Sequence, residues 1–159
     1  MSNPIITAQD QFIAAFAGIV AGTGNYETTV KKVYQEIQKE VPEYPSIAIV
    51  FARPQQVKVI DSAMGVFNMA LNYGIACYIQ SDSDVDNGGD FRMAQYELFA
   101  DIYRLIVSIN KTYVNATPSW IIDPSVDLEM SPVEPLKQNK GIFGISGKIL
   151  LRSLNGTLT

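Results

Sequence analysis

Residues 91–109 read FRMAQYELFADIYRLIVSI, and the periodicity of this stretch decides how the rest of the chain is arranged. Phe91, Ala94, Leu98, Ile102, Leu105 and Ile109 recur at three- and four-residue intervals, so they share one face of an α-helix. Tyr96, Phe99, Tyr103 and Ile106 form a second apolar stripe beside it. Glu97, Asp101, Arg104 and Ser108 leave one narrow strip that reads as solvated. A helix lying on a single sheet needs an apolar arc of about 100°, yet this one is apolar over more than half its circumference. Either it is buried deeply in one domain, or its cover is shared between its own sheet and another subunit. The second explanation makes Tyr96, Phe99, Tyr103 and Ile106 candidate subunit-interface residues.

Upstream of this helix, residues 66–71 and 75–80 predict two antiparallel strands joined at Asn72-Tyr73-Gly74, where glycine is available for a positive φ. Residues 46–52, SIAIVFA, follow Pro45 and end at Arg53-Pro54, which predicts a central strand. Residues 57–60 alternate weakly, as an edge segment would. Tyr26, Val30, Val33, Tyr34, Ile37 and Val41 fall at helical spacing opposite Glu27, Lys31, Lys32, Glu36 and Lys39, predicting an amphipathic helix stopped by Pro42. Residues 1–25 read as a helical N-terminal extension, with a loose arm through Ile6, an N-cap at Thr7 and a stop at Gly22-Thr23-Gly24-Asn25. A strand over 13–20 is the alternative there, because that run is short and nearly all apolar.

Downstream, Trp120-Ile121-Ile122 predicts a short strand and residues 142–151 a closing strand. Between them, residues 123–140 hold three prolines without a sustained period, an excursion of the length loops reach when they are functional. Residues 154–159 read as a flexible tail. The sum is a single α+β domain over residues 26–153, with a mostly antiparallel sheet and helices packed on one face.

Composition narrows the chemistry. The 159 residues suit one domain with its own core. They are 47% hydrophobic and only 18% charged, lean in charge against the usual quarter. A larger core explains that, and so does surface covered in an assembly. A net charge of −4 argues against phosphate-backbone binding. Histidine is absent, which removes Ser-His and Cys-His nucleophile pairs and most zinc sites. The single cysteine, Cys77, lies in an alternating apolar run and reads as a small buried hydrophobe. The apolar run from Phe12 lacks preceding basic residues and is too short for a bilayer span of about 20 residues, so no membrane role and a cytoplasmic site of synthesis are expected.

Asp82, Asp84 and Asp86 match the first three oxygen positions of a calcium loop. Asn87 stands where that loop needs glycine, however, and Met93 where it needs a bidentate glutamate, so a solvated loop with Asp90 capping the next helix is the simpler account. Gly22-Thr23-Gly24 lacks the Gly-Lys-Ser/Thr of a phosphate loop. Asp61 and Asp123 would have to meet in space to do acid–base work, which sequence alone does not establish. Lys148 and Arg152 share one side of the last strand, as a cationic ridge or as its solvent face. No catalytic, cofactor or metal-binding set emerges, and a non-enzymatic role is expected.

The order of elements carries more information than any motif. A helix precedes SIAIVFA; a strand pair ends in YGIACYIQ; then come the acidic loop, RMAQYELFADIYRLIVSI, a Pro-rich excursion and GIFGISGKILLRS. This order resembles the tail terminator (tail completion) proteins of long-tailed bacteriophages, and the related head–tail joining proteins. The resemblance implies a virion protein, assembled in the host cytoplasm, that forms a homo-oligomeric ring, commonly a hexamer. Such a ring caps the tail tube, stops its polymerisation and offers the head–tail connector a joining surface, while DNA passes through its channel without specific binding. On that model Asp127, Glu129, Glu134 and Lys137 of the excursion dock the partner, and Asp82, Asp84 and Asp86 line the channel. The alternatives are a neck or head-completion protein on the portal side, a small α+β ligand-binding domain or enzyme, and a monomeric adaptor using the Pro-rich excursion.

Overall fold

The computed structural model describes residues 3–51, 58–59, 69–81, 91–122, 129–136 and 139–152. Eight strand segments make one sheet: β1 (Val33–Tyr34), β2 (Ser46–Phe51), β3 (Lys58–Val59), β4 (Met69–Gln80), β5 (Trp120–Ile122), β6 (Glu129–Met130), β7 (Glu134–Pro135) and β8 (Lys140–Leu151). Their order is β1-β2-β4-β8-β5, with β3 beside β4 and with β6 and β7 along the same edge of β8 as β5. Among the described residues only β1 pairs in parallel, with β2; the other pairings are antiparallel. Helices α1 (Pro4–Ala15) and α2 (Arg92–Tyr113) cover one face. The chain is thus a single α+β domain with a mixed, mostly antiparallel sheet.

The alternation of β4 and β8 sorts the core. Leu71, Tyr73, Ile75, Cys77 and Ile79 face the helices, in register with Ile149, Gly147, Ile145, Phe143 and Gly141. Gly147 is required opposite Tyr73, since a Cβ there would overlap the Tyr73 hydroxyl. β4 is one continuous strand where two strands and a loop are expected from the sequence. The period of two runs unbroken through Asn72-Tyr73-Gly74, and the paired backbone of β8 beside it satisfies every position a turn would have freed.

The predicted helix over residues 26–41 does not form. The chain runs extended along the edge of β2: Lys31 N–H donates to Pro45 O, Ile47 N–H to Lys32 O, and Val33–Tyr34 makes β1. Two facts override the helical spacing. An open β2 edge would leave its backbone groups unpaired. Moreover, Val30 joins the core on the helix side of the sheet while Val41 joins Ala48 and Tyr78 on the other side, two destinations that one helical stripe cannot reach. β-branched Thr28, Thr29, Val30 and Val33 also lower the helical preference.

The N-terminal segment is helical but is no appendage. α1 starts at Pro4 with its N-cap at Asn3, four residues before the expected cap at Thr7, because Asn3 Oδ1 accepts from Ile5 N–H and proline at the first position has no N–H to waste. Ala8, Phe12, Phe16 and Ile19 are fully buried in the main core. Trp120 meets this layer edge-on at Phe12, donates its indole N–H to Gln11 Oε1 and stacks on Tyr113. Gly22 and Gly24, both at positive φ, then turn the chain as expected. The short strand at 120–122, the edge segment at 58–59 and the closing strand form where predicted, and part of the Pro-rich excursion pairs with β8 as β6 and β7.

Candidate functional site

α2 fixes one surface of interest through the way it is locked about its axis. Near its start, buried Gln95 donates to Ser131 O at 3.0 Å. Near its end, Asn110 brackets Ile122, donating to its carbonyl at 2.6 Å and accepting from its N–H at 2.8 Å, which carries the helix a turn past Ile109 to Tyr113. In the middle sits Asp101, expected on the solvated strip and found fully buried. Its carboxylate accepts from Glu27 N–H at 3.1 Å, from Thr28 N–H at 2.7 Å and hydroxyl at 2.5 Å, and from Arg104 at 2.6 Å. Nothing local signals this burial, because the Glu27 and Thr28 donors lie more than seventy positions away in sequence.

Locked in this way, α2 turns one apolar set inward and another outward. Leu98, Ile102, Leu105, Ile106 and Ile109 are core. Ile106, expected at a subunit interface, is fully enclosed by its own protomer and leaves that list; Phe99 is half-buried against the core. Tyr96 and Tyr103 do face outward, 56% and 44% exposed, joined by Met93 at 67% and by Val107. Met93, Tyr96, Ala100, Tyr103 and Val107 recur at alternating three- and four-residue intervals, the spacing of a helix seam with nothing yet packed on it. Met93 reads from the sequence, like Tyr96, as a packing or interface residue; Val107 is hidden there in a helix apolar over more than half its circumference.

A second surface lies on the opposite face of the sheet. There Gly74, Ala76, Gly144 and Ser146 make a floor almost without relief. Val50 walls one side, exposed Ile37 overhangs it, and Ile142 closes one end. Glu129 sits in register with Ser146 and Glu134 with Ile142, forming the far wall. The groove so bounded holds about 590 Å³. Its end near Ile142 is shaped by Tyr78, whose hydroxyl donates to Gln38 O and accepts from Gln38 N–H.

Of the residues expected to dock a partner, Glu129 and Glu134 are therefore brought together on one rim. Asp127 and Lys137 lie outside the described residues, as do Asp82, Asp84 and Asp86, the Asp90 cap, the Asp61 and Asp123 pair and residues 154–159. Lys148 lies on the groove side of β8 opposite Asn72, and Arg152 follows the strand with its N–H bonded to Ser119 O.

Chemically these surfaces are quiet. Burial pushes the Cys77 thiol well above its usual range, so it has no thiolate to offer. Tyr26 is raised by burial first and by the Asp101 carboxylate second, and Tyr44 by burial, then Glu40, then Tyr78. Among the described residues no three His, Cys, Asp or Glu side chains converge as a metal site would require, and no helix is long and apolar enough to cross a membrane. Compared with known proteins, the chain matches no family model and no curated sequence.

Proposed function

We propose that this chain is a ring-forming structural subunit of a bacteriophage tail, which caps the tail tube, halts its growth and presents the surface to which the head is joined. The observation that carries it is the outward stripe of α2, where Met93, Tyr96, Tyr103 and Val107 stand exposed on a rigidly anchored helix. Clustered large apolar residues at helical spacing mark contact surfaces more often than solvated ones. The order of elements along the chain supports the same assignment. Copies that join through two unlike surfaces make a closed ring when their rotation closes and a filament when it does not. A closed ring whose one axial face matches the tube end and whose other face lacks a surface for another tube ring halts further stacking, which is what a terminator needs.

The test is to polymerise a purified tail tube protein with and without this protein. Tubes of limited length bearing a ring at one end are expected. Unchanged tube lengths at saturating protein, with no ring on tubes or in solution by electron microscopy, would sink the proposal.

A further inference from the structure

The geometry points to the occupant of the groove on the back of the sheet: the outward stripe of α2 from a second copy of this chain. This rests on the self-assembly proposed above and names its contact.

Shape comes first. Three strand spacings separate Val50 from Glu129 and four residues separate Ile142 from Ser146, so the groove measures roughly 14 Å in each direction. A helix with its side chains is about 10–12 Å across. The floor is low where a helix would lie deepest: Gly74 has open space above it, with no atom within 4 Å of where a Cβ would stand. A convex row of Met93, Tyr96, Tyr103 and Val107 meets a concave apolar bed of Gly74, Ala76, Val50 and Ile142.

Charge comes second. The charged residues lining the groove, Glu129 and Glu134, are both acidic, with Lys148 beside Glu129 at the Ser146 end. Exposed Lys111 stands at the C-terminal end of the α2 stripe, while Glu27, Glu97 and Arg104, the last paired with Asp101, lie along its N-terminal half. Lys111 set toward the Glu134 end of the rim fixes the direction of this pairing. The competing arrangement, α2 against α2 across a twofold, leaves the groove open. The stripe and groove also lie on opposite faces of one protomer, so each copy can give its helix to one neighbour and take the helix of another. Such a contact is heterologous.

Cysteines placed at Gly74→Cys in one preparation of the full chain and Tyr103→Cys in another test the docking directly. Native Cys77 is buried and stays silent. On mixing and mild oxidation at high concentration, a 74–103 disulfide-linked heterodimer is expected as the main product. A Gly74→Leu change in the Tyr103→Cys partner's acceptor copy should abolish cross-linking at the neighbouring floor position Ala76→Cys while leaving fold and Trp120 fluorescence unchanged. The double variant Glu129→Lys, Glu134→Lys should slow cross-linking by about tenfold or more. A Tyr103–Tyr103 position disulfide dominating, or no cross-link of either kind, overturns the docking. Rings seen by electron microscopy without the 74–103 bond leave the ring standing and remove this contact. The bond forming in open-ended chains keeps the contact and removes the ring.

Discussion

At Asp101 an ion pair and a capping interaction coexist, and their sizes decide which one matters. Arg104 is 38% exposed, so its 2.6 Å pair with Asp101 is screened on the solvent side and worth under ~1 kcal/mol, and its link to Glu27 spans 4.0 Å. The backbone N–H groups of Glu27 and Thr28 have this carboxylate as their partner, and stranding such donors costs about 1–3 kcal/mol each. Asp101→Ala is accordingly expected to lower unfolding free energy by about 3 kcal/mol, and Arg104→Ala by less than ~1 kcal/mol, compared by urea midpoints. Equal losses would assign the energy to the ion pair instead. Cys77 gives a second residue-level test. Its folded thiol is raised by burial, so the unfolded chain ionises first and this group subtracts stability as pH climbs past the ordinary thiol range. Native protein at pH 8.5 should resist iodoacetamide, with labelling appearing only as urea unfolds it; rapid labelling of folded protein would mean the core opens locally. Cys77 was legible in sequence because period-two alternation announces its burial. Asp101 was not, because its i, i+3 and i, i+4 neighbours look like any solvated strip and its true partners come from a distant loop.

Among the elements, the sequence pattern matches α2 nearly to its ends and misleads over residues 26–41, for one shared reason. Helical spacing states that residues point the same way only if a helix forms. In α2 many apolar residues agree with the 3.6 period and three polar side chains hold the helix in place. In 26–41 the same spacing is coincidental, and the edge of β2 claims the backbone. The excess apolar arc of α2 resolves into an inner part, with Ile106, and an outer part, with Tyr103. Their substitutions should separate cleanly. Ile106→Ala is expected to cost about 3 kcal/mol of stability from the cavity it leaves, with assembly of the folded fraction intact. Tyr103→Asp should change stability by no more than ~0.5 kcal/mol, as exposed sites do, yet abolish association in sedimentation equilibrium. If Tyr103→Asp assembles normally at unchanged stability, the stripe faces water in the working protein. Phe99→Asp is a mixed case, since its ring is half in the core, and both quantities should fall.

For the whole molecule the decisive property is that its two apolar surfaces differ and face opposite ways. A protomer with one self-complementary patch stops at a dimer, whereas a protomer with a donor face and an acceptor face propagates until the path closes. This distinction has a consequence that no single-surface model shares. Gly74→Leu fills the acceptor groove without touching the donor helix, and the open space above Gly74 lets the side chain in without disturbing the fold. Such a variant can still insert α2 into a wild-type neighbour but can receive no helix itself. Added to wild-type protein it is expected to end growing arcs, so that closed rings disappear in favour of shorter open species as its fraction rises, read by native mass spectrometry. Tube-length control should be lost in step, since a broken arc leaves part of the tube end free. Tyr103→Asp should poison from the other side, and the two variants mixed together should stop at one-to-one pairs. Were both variants merely inert, diluting wild-type rings without breaking them, the copies would be meeting through some other surface.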